Sequence, residues 1–204
     1  MNINKPPGWI RKLYWSLNWS IKSKSKSLYL TFDDGPTPEI TSWVLNELDK
    51  FNAKATFFCI GRNVERHPEI YNDILARGHA VGNHTYSHLK GWRTNNKEYV
   101  EDTLLAAQYI DSNLFRPPYG KIGQQQIRSL KKVGFKLFMW DVLSEDYNHE
   151  ISEQQCLNNV LQYTQSGSII VFHDSVKASK NLYGALPEVL KTFTEQDFVF
   201  RKLK

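Results

Sequence analysis

From residue 28 to residue 200, short apolar runs alternate with amphipathic stretches, a pattern that points to a parallel sheet covered by helices. Residues 28–32, 55–60, 80–82, 114–116, 135–140, 168–172 and 198–200 read as strands. Between them, residues 40–51 carry an apolar stripe at Val44, Leu45, Leu48 and Phe51, and residues 68–77 form a helical stretch that Gly78 stops. Residues 97–112, 124–133, 152–163 and 185–193 complete the expected helices, with Ser152 and Gln155 placed as a capping box. Such a sheet can stay open or curl into a barrel. Asp33, His84, Arg116, Asp141 and His173 each follow the end of a different run. Strand ends converge on one face in a barrel and spread along an edge in an open sheet, so clustered chemistry favours the barrel.

A chain of 204 residues suits one domain. Residues 1–26 read as an N-terminal extension and residues 27–204 as the domain proper. In the extension, Trp9, Ile10, Leu13, Leu17 and Ile21 recur at helical spacing. That stripe is expected to pack on the domain, with peripheral contact to a membrane surface as the weaker alternative. Residues 22–27 alternate Ser and Lys like a short exposed linker.

The net charge is +5, but much of the excess lies near the ends, in Lys5, Arg11, Lys12, Lys22, Lys24, Lys26, Arg201, Lys202 and Lys204. Solvated terminal charge explains that distribution, and no nucleic-acid partner is expected. Cys59 falls within an apolar strand and reads as a buried thiol, and nothing pairs it with Cys156. No apolar run of about 18 residues would span a membrane. Charge interrupts the apolar residues near the start, so no export signal is visible and the default location is the cytoplasm. Oligomeric state is not encoded in any motif.

Three stretches hold the ionisable residues: Thr31-Phe32-Asp33-Asp34-Gly35-Pro36, His84-Thr85-Tyr86-Ser87-His88 and His173-Asp174. Neighbours on an extended segment point to opposite sides, so Asp33 and Asp34 cannot share one role. One can bind a metal while the other faces a substrate; a simple turn would also use Asp-Asp-Gly-Pro. A helical turn would place His84 and His88 on one face, a metal-ligand spacing that Asp34 could complete. A mixed nitrogen and oxygen site of this kind suits Zn²⁺, with Co²⁺ or Ni²⁺ as alternatives. Arg116 precedes Pro117-Pro118-Tyr119-Gly120, a stiff loop, and could hold a carboxylate ionised. His173 ends an apolar run, and Asp174 beside it should face elsewhere.

In order and spacing, the T-F-D-D-G-P, H-T-Y-S-H, R-P-P-Y-G and I-V-F-H-D stretches resemble those of the polysaccharide deacetylases of carbohydrate esterase family four, over residues 28–200. The resemblance implies a distorted (β/α) barrel of seven to eight mostly parallel strands, with residues 27–204 as the catalytic (NodB-homology) domain. It implies a metal-dependent hydrolase that removes acetyl groups from N-acetylated sugars of chitin or peptidoglycan type. Asp33 would be the general base toward water, and Asp34, His84 and His88 the metal ligands. The backbone N–H of Tyr119 would meet the oxyanion, Arg116 would tune Asp33, and His173 would protonate the leaving amine. Asp146-Tyr147 best matches a family Asp-Trp pair, with Asp146 orienting His173 and Tyr147 replacing the usual Trp on the groove wall. Phe172 would line the acetyl pocket. An O-acetyl esterase of acetylxylan type, another C–N amidohydrolase and a non-catalytic carbohydrate-binding protein remain as alternatives.

Overall fold

The computed structural model describes residues 4–23 and 25–204. Residues 1–3 of the expected extension and Lys24 of the expected linker lie outside them. After α1 (Gly8–Leu13), the chain runs through β1 (Ser27–Asp33), α2 (Ile40–Lys50), β2 (Ala55–Cys59), α3 (Gly61–Arg66), α4 (Pro68–Ala76), β3 (Ala80–Asn83), α5 (Asn96–Ala106) and β4 (Leu114–Phe115). It continues through α6 (Gln124–Lys132), β5 (Lys136–Leu137), β6 (Val142–Leu143), α7 (Glu153–Leu161), β7 (Ile169–His173), α8 (Ser179–Glu195) and β8 (Val199–Phe200). Every strand pairing is parallel, in the order β5-β4-β3-β2-β1-β7-β6, with β8 against the start of β1.

Alternation along the strands builds two interiors. On β1, Leu28, Leu30 and Phe32 join Ala55, Phe57 and Cys59 of β2 and Ile170 and Phe172 of β7 in the main core, under α2, α7 and α8. The opposite face lines the concave side, where Phe58, Leu114, Phe138, Ile169 and Leu203 form an apolar plug. The sheet curls without its edge strands meeting, and the N-terminal segment runs along the seam. Asn18 N–H donates to Leu137 O at 3.0 Å, Met139 N–H to Asn18 O at 2.7 Å, and Ile21 N–H to Gly167 O at 2.8 Å. At the β6 edge, Leu143 N–H donates to Asn4 O at 2.8 Å. Leu17 and Trp19 are buried in a second cluster with Phe115, Leu130 and Leu137.

The strand expected over 135–140 breaks after Leu137, and β6 begins only at Val142. Asp141 therefore stands at the entrance of β6, where its N–H donates to Ile169 O at 2.9 Å. That is the N-terminal edge of the sheet, away from the convergent strand ends. There Asp141 is buried, pairs with Arg11, and accepts a hydrogen bond from Ser168 Oγ at 2.6 Å. At α7, Ser152 accepts from Gln155 N at 3.1 Å, but the Gln155 side chain turns to Asn159 Oδ1, so only half of the capping box forms. α8 starts at Ser179, six residues before the expected helix, and contains Pro187. Seven of its side chains are buried, including Leu182, Leu186 and Val189, and that burial outweighs a proline cost of about 3 kcal/mol. Among the described residues, no helix is long and apolar enough to cross a membrane.

Candidate active site

Register brings the first two groups together. Asp33 of β1 lies beside His173 of β7 at the C-terminal edge of the sheet. Behind them, Arg116 is completely buried. Its Nη1 donates to Asp33 Oδ1 and to Thr31 Oγ1, each at 2.7 Å, and its Nη2 donates to Met139 O at 3.0 Å. The guanidinium also lies 4.2 Å from the Phe58 ring centroid. A buried arginine with this set of partners holds one carboxylate oxygen of Asp33 in a fixed position.

The chain leaves β1 through Asp34 at φ 81 and then Gly35, where a Cβ would lie 2.0 Å from Asp174 Oδ2. Only glycine allows that approach. Gly35 N–H donates to Asp174 Oδ1 at 3.1 Å and Thr41 Oγ1 to Oδ2 at 2.6 Å, so Asp174 anchors the turn and faces away from His173. Burial pushes the Asp174 carboxyl up to about 8, against the pull of the Thr41 hydrogen bond.

His84 and His88 do not share a helical turn. They lie on a loop after β3 in which Thr85 has φ 63 and His88 φ 59. Left-handed backbone is unfavourable for a β-branched residue and persists only where the surroundings impose it. Here Asn83 Oδ1 accepts from Thr85 N at 2.8 Å, while Asp102 Oδ2 accepts from Tyr86 N at 2.8 Å and Ser87 N at 3.0 Å. The loop achieves what a helix was expected to do. The two ring centroids are 5.1 Å apart, and Nε2 of His84 and His88 lie 3.7 and 3.2 Å from Asp34 Oδ1. One ligand atom from each of Asp34, His84 and His88 falls within 4.8 Å of the others.

The protonation states fit a divalent cation. His84 Nδ1 lies 2.8 Å from Arg116 O; donating to that carbonyl leaves the Nε2 lone pair directed at the site. Burial lowers the His84 pKa to about 4, so the ring is neutral near pH 7. Burial would raise Asp34, but the hydrogen bond from His88 and the surrounding imidazoles hold its carboxyl well below the usual range. A charged carboxylate and two imidazoles, His84 being held neutral, are a suitable donor set for zinc, cobalt or nickel.

His173 occupies the opposite wall. Its Nδ1 lies 2.8 Å from Asp146 Oδ1, and its backbone N–H donates to Asp146 Oδ2 at 2.7 Å. Burial lowers the imidazole pKa, but the Asp146 charge and hydrogen bond override it and raise the value to about 9. Tyr147 packs edge-on against the ring at 5.0 Å. The exposed Tyr119, at φ 59, packs with its ring tilted against His88, centroids 4.6 Å apart, and Gly120 lets Trp140 approach where a Cβ would lie 2.4 Å from its ring. These groups line a cleft of about 460 Å³.

Phe172 does not line that cleft. It is fully buried in the main core and stacks at 6.2 Å on Phe32, because alternate residues of β7 face opposite sides. Val171 and Leu143 take the apolar lining instead. Trp140, Lys121 and Lys177 also face the cleft and were not expected there. Nor does any sequence motif mark the supporting roles of Asn83 and Asp102.

Known proteins similar to this chain extend over most of its length. A family model described as polysaccharide deacetylase matches residues 20–138, more than half of the chain. A peptidoglycan-N-acetylglucosamine deacetylase of Bacillus cereus is 30% identical over 191 residues, spanning 90% of this chain and 89% of that protein. A chitooligosaccharide deacetylase of Azorhizobium caulinodans is 35% identical, with 76% of each chain covered. The crystal structure of a peptidoglycan N-acetylglucosamine deacetylase superposes with a TM-score of 0.88 at 30% identity, covering 97% of this chain and 94% of that one.

Proposed function

The chain belongs to the polysaccharide deacetylase family, and from that premise we propose that it hydrolyses the acetamide of an N-acetylated glycan of chitin or peptidoglycan type, giving a free amine and acetate. One observation carries the reading: a fixed carboxylate (Asp33), a carboxylate with two imidazoles (Asp34, His84, His88) and a carboxylate-backed imidazole (His173) face one cleft.

An amide carbonyl is a weak electrophile and its nitrogen a poor leaving group, so the reaction needs a base and an acid at once. Asp33, held through Arg116, takes a proton from the attacking water. His173, kept protonated by Asp146, donates its Nε2 proton to the departing amine. The Tyr119 backbone N–H is assigned to the developing oxyanion, and Val171 and Leu143 to the acetyl methyl. Asp34, His84 and His88 would hold a divalent ion, which would supply Lewis acidity toward the water and the carbonyl oxygen. Zinc is the assigned metal, with cobalt or nickel as working substitutes.

The test is acetate release from chitooligosaccharides, peptidoglycan fragments and acetylxylan, with metal content measured on the same samples. Asp33→Asn is expected to retain the metal and lose activity by about 10²–10⁴-fold. His84→Ala is expected to lose metal and activity together. Release from acetylxylan alone would overturn the N-deacetylase assignment, and full metal occupancy in His84→Ala would overturn the ligand set.

A further inference from the structure

Two stretches of this chain contain no acid. Residues 1–27 and 112–140 together hold 12 of the 26 basic residues and none of the 21 acidic ones, so the remainder is net acidic. Far apart in sequence, the two pack together in the fold. Ile10 and Tyr14 of the N-terminal segment pack against the second core cluster, which holds Ile122, Ile127 and Leu130. Tyr14 OH donates to Ile122 O at 3.4 Å, Asn18 Nδ2 to Leu137 O at 2.9 Å, and Lys131 Nζ to Ser16 O. Charge that reads as merely solvated along the sequence therefore collects on one side of the folded molecule.

The first helix divides its faces. Ile10 and Tyr14, four residues apart, turn inward. Trp9 and Leu13, also four apart, turn outward, and Trp15 follows just beyond the helix; they are 67%, 59% and 81% exposed. Lys5 and Lys12 are exposed on the same segment, and Lys131, held at Ser16, brings α6 alongside, with Arg128 one turn before it. Among the described residues, none of these four cations enters an ion pair. Two other cations of these stretches are occupied elsewhere, Arg11 by the buried Asp141 and Arg116 by Asp33.

Large exposed apolar side chains among unpaired cations suit one kind of partner. A second copy seated on the same face by two-fold symmetry would set like charges against each other. A soluble polyanion would pair the cations and leave the indole rings in water. A bilayer with anionic headgroups satisfies both features: indole rings settle at headgroup depth, and lysines and arginines gain from the negative surface potential. We propose that this face, built by α1, the turn after it and α6, docks on a bilayer that carries anionic phospholipids. Trp9, Leu13 and Trp15 enter the headgroup region, and the cations around them hold the headgroup phosphates. Lys121 lines the cleft and Ile122 beside it accepts from Tyr14, so the cleft rim adjoins the docked face.

Vesicles of phosphatidylcholine alone, and of equal parts phosphatidylcholine and phosphatidylglycerol, test this with the full chain. Cosedimentation gives the partition coefficient, and quenching of tryptophan fluorescence by brominated phosphatidylcholine tails reports ring insertion. The anionic vesicles are expected to bind about tenfold more tightly or better, with the affinity falling at high salt. Trp9→Ser with Trp15→Ser should cut that affinity by about tenfold and remove most of the quenching. Lys12→Glu with Arg128→Glu should bring the two vesicle types close to equal. All four side chains are exposed, so urea unfolding of both double variants should match that of the unmodified protein. Absence of vesicle binding, equal binding to both vesicle types by the unmodified protein, or anionic binding unchanged in either double variant overturns the docking surface. Heparin binding without vesicle binding would replace the bilayer by a soluble polyanion. A dimer that the two tryptophan substitutions abolish, again without vesicle binding, would assign the face to a second copy.

Discussion

His173 works as an acid only while it keeps its proton. Burial pulls that proton off, and Asp146 holds it on; the balance leaves the pKa at about 9. The protonated form dominates below that value, so activity should persist through neutral pH and fall as pH rises through about 9. The stability that the pair contributes follows the same sign: it is complete below the ordinary histidine value and is lost between there and about 9. Asp146→Asn keeps an acceptor for the ring but removes the charge. Its alkaline limb in a pH–rate profile should move down toward about 6.5, and kcat/KM at pH 8 should drop by about 10–100-fold. A limb that stays in place would show that Asp146 does not set the acid. His173 was legible in the sequence because it ends an apolar run, whereas Asp146 was placed only by the family resemblance. Arg116 could be read as a partner for a carboxylate, and Asp174 as facing elsewhere, from spacing alone. Asn83 and Asp102 were not legible, since a polar side chain that bonds a distant loop N–H leaves no periodic trace.

At the scale of the element, the strand period decides what a neighbour of the acid can do. Val171 and His173 face the cleft, and Phe172 between them faces the core. Phe172→Ala should cost about 3–5 kcal/mol in denaturant unfolding and leave KM within about twofold. Val171→Phe should do the reverse, raising KM severalfold through the filled pocket. A large KM effect at Phe172 would mean that β7 has a different register. The same rule separates legible from illegible elements. β1, β2 and β7 carry enough apolar residues to show their period. β4 and β5 fall within the stretches read as strands at 114–116 and 135–140, whereas β6 is two residues long and is held by pairing with β7, which local sequence does not display. The His84 loop was misread as helical because its spacing matches a helix, while two left-handed residues produce the same convergence by another route.

For the molecule as a whole, the open seam of the curled sheet is the weak point, and the N-terminal segment crosses it. That segment bonds the β5 edge at Leu137, the β6 edge at Leu143 and the base of β7 at Gly167. Its charge anchor is Arg11, whose side chain is about a quarter exposed while its partner Asp141 is fully buried. Arg11 also lies 5.9 Å from the Trp19 ring, which ties the anchor to the second core cluster. Arg11→Met would leave Asp141 buried with only the Ser168 hydroxyl as partner, an arrangement that costs about 3 kcal/mol. Adding Asp141→Asn should recover most of the loss, and urea unfolding of the four proteins gives the coupling directly. Hydrogen exchange should place the damage. If the segment holds the seam, the amides of Asn18, Met139 and Leu143 exchange faster in Arg11→Met, while those of β1 and β2 keep their protection. Equal acceleration in every strand would instead mean that the Arg11–Asp141 pair supports the entire barrel as one cooperative unit.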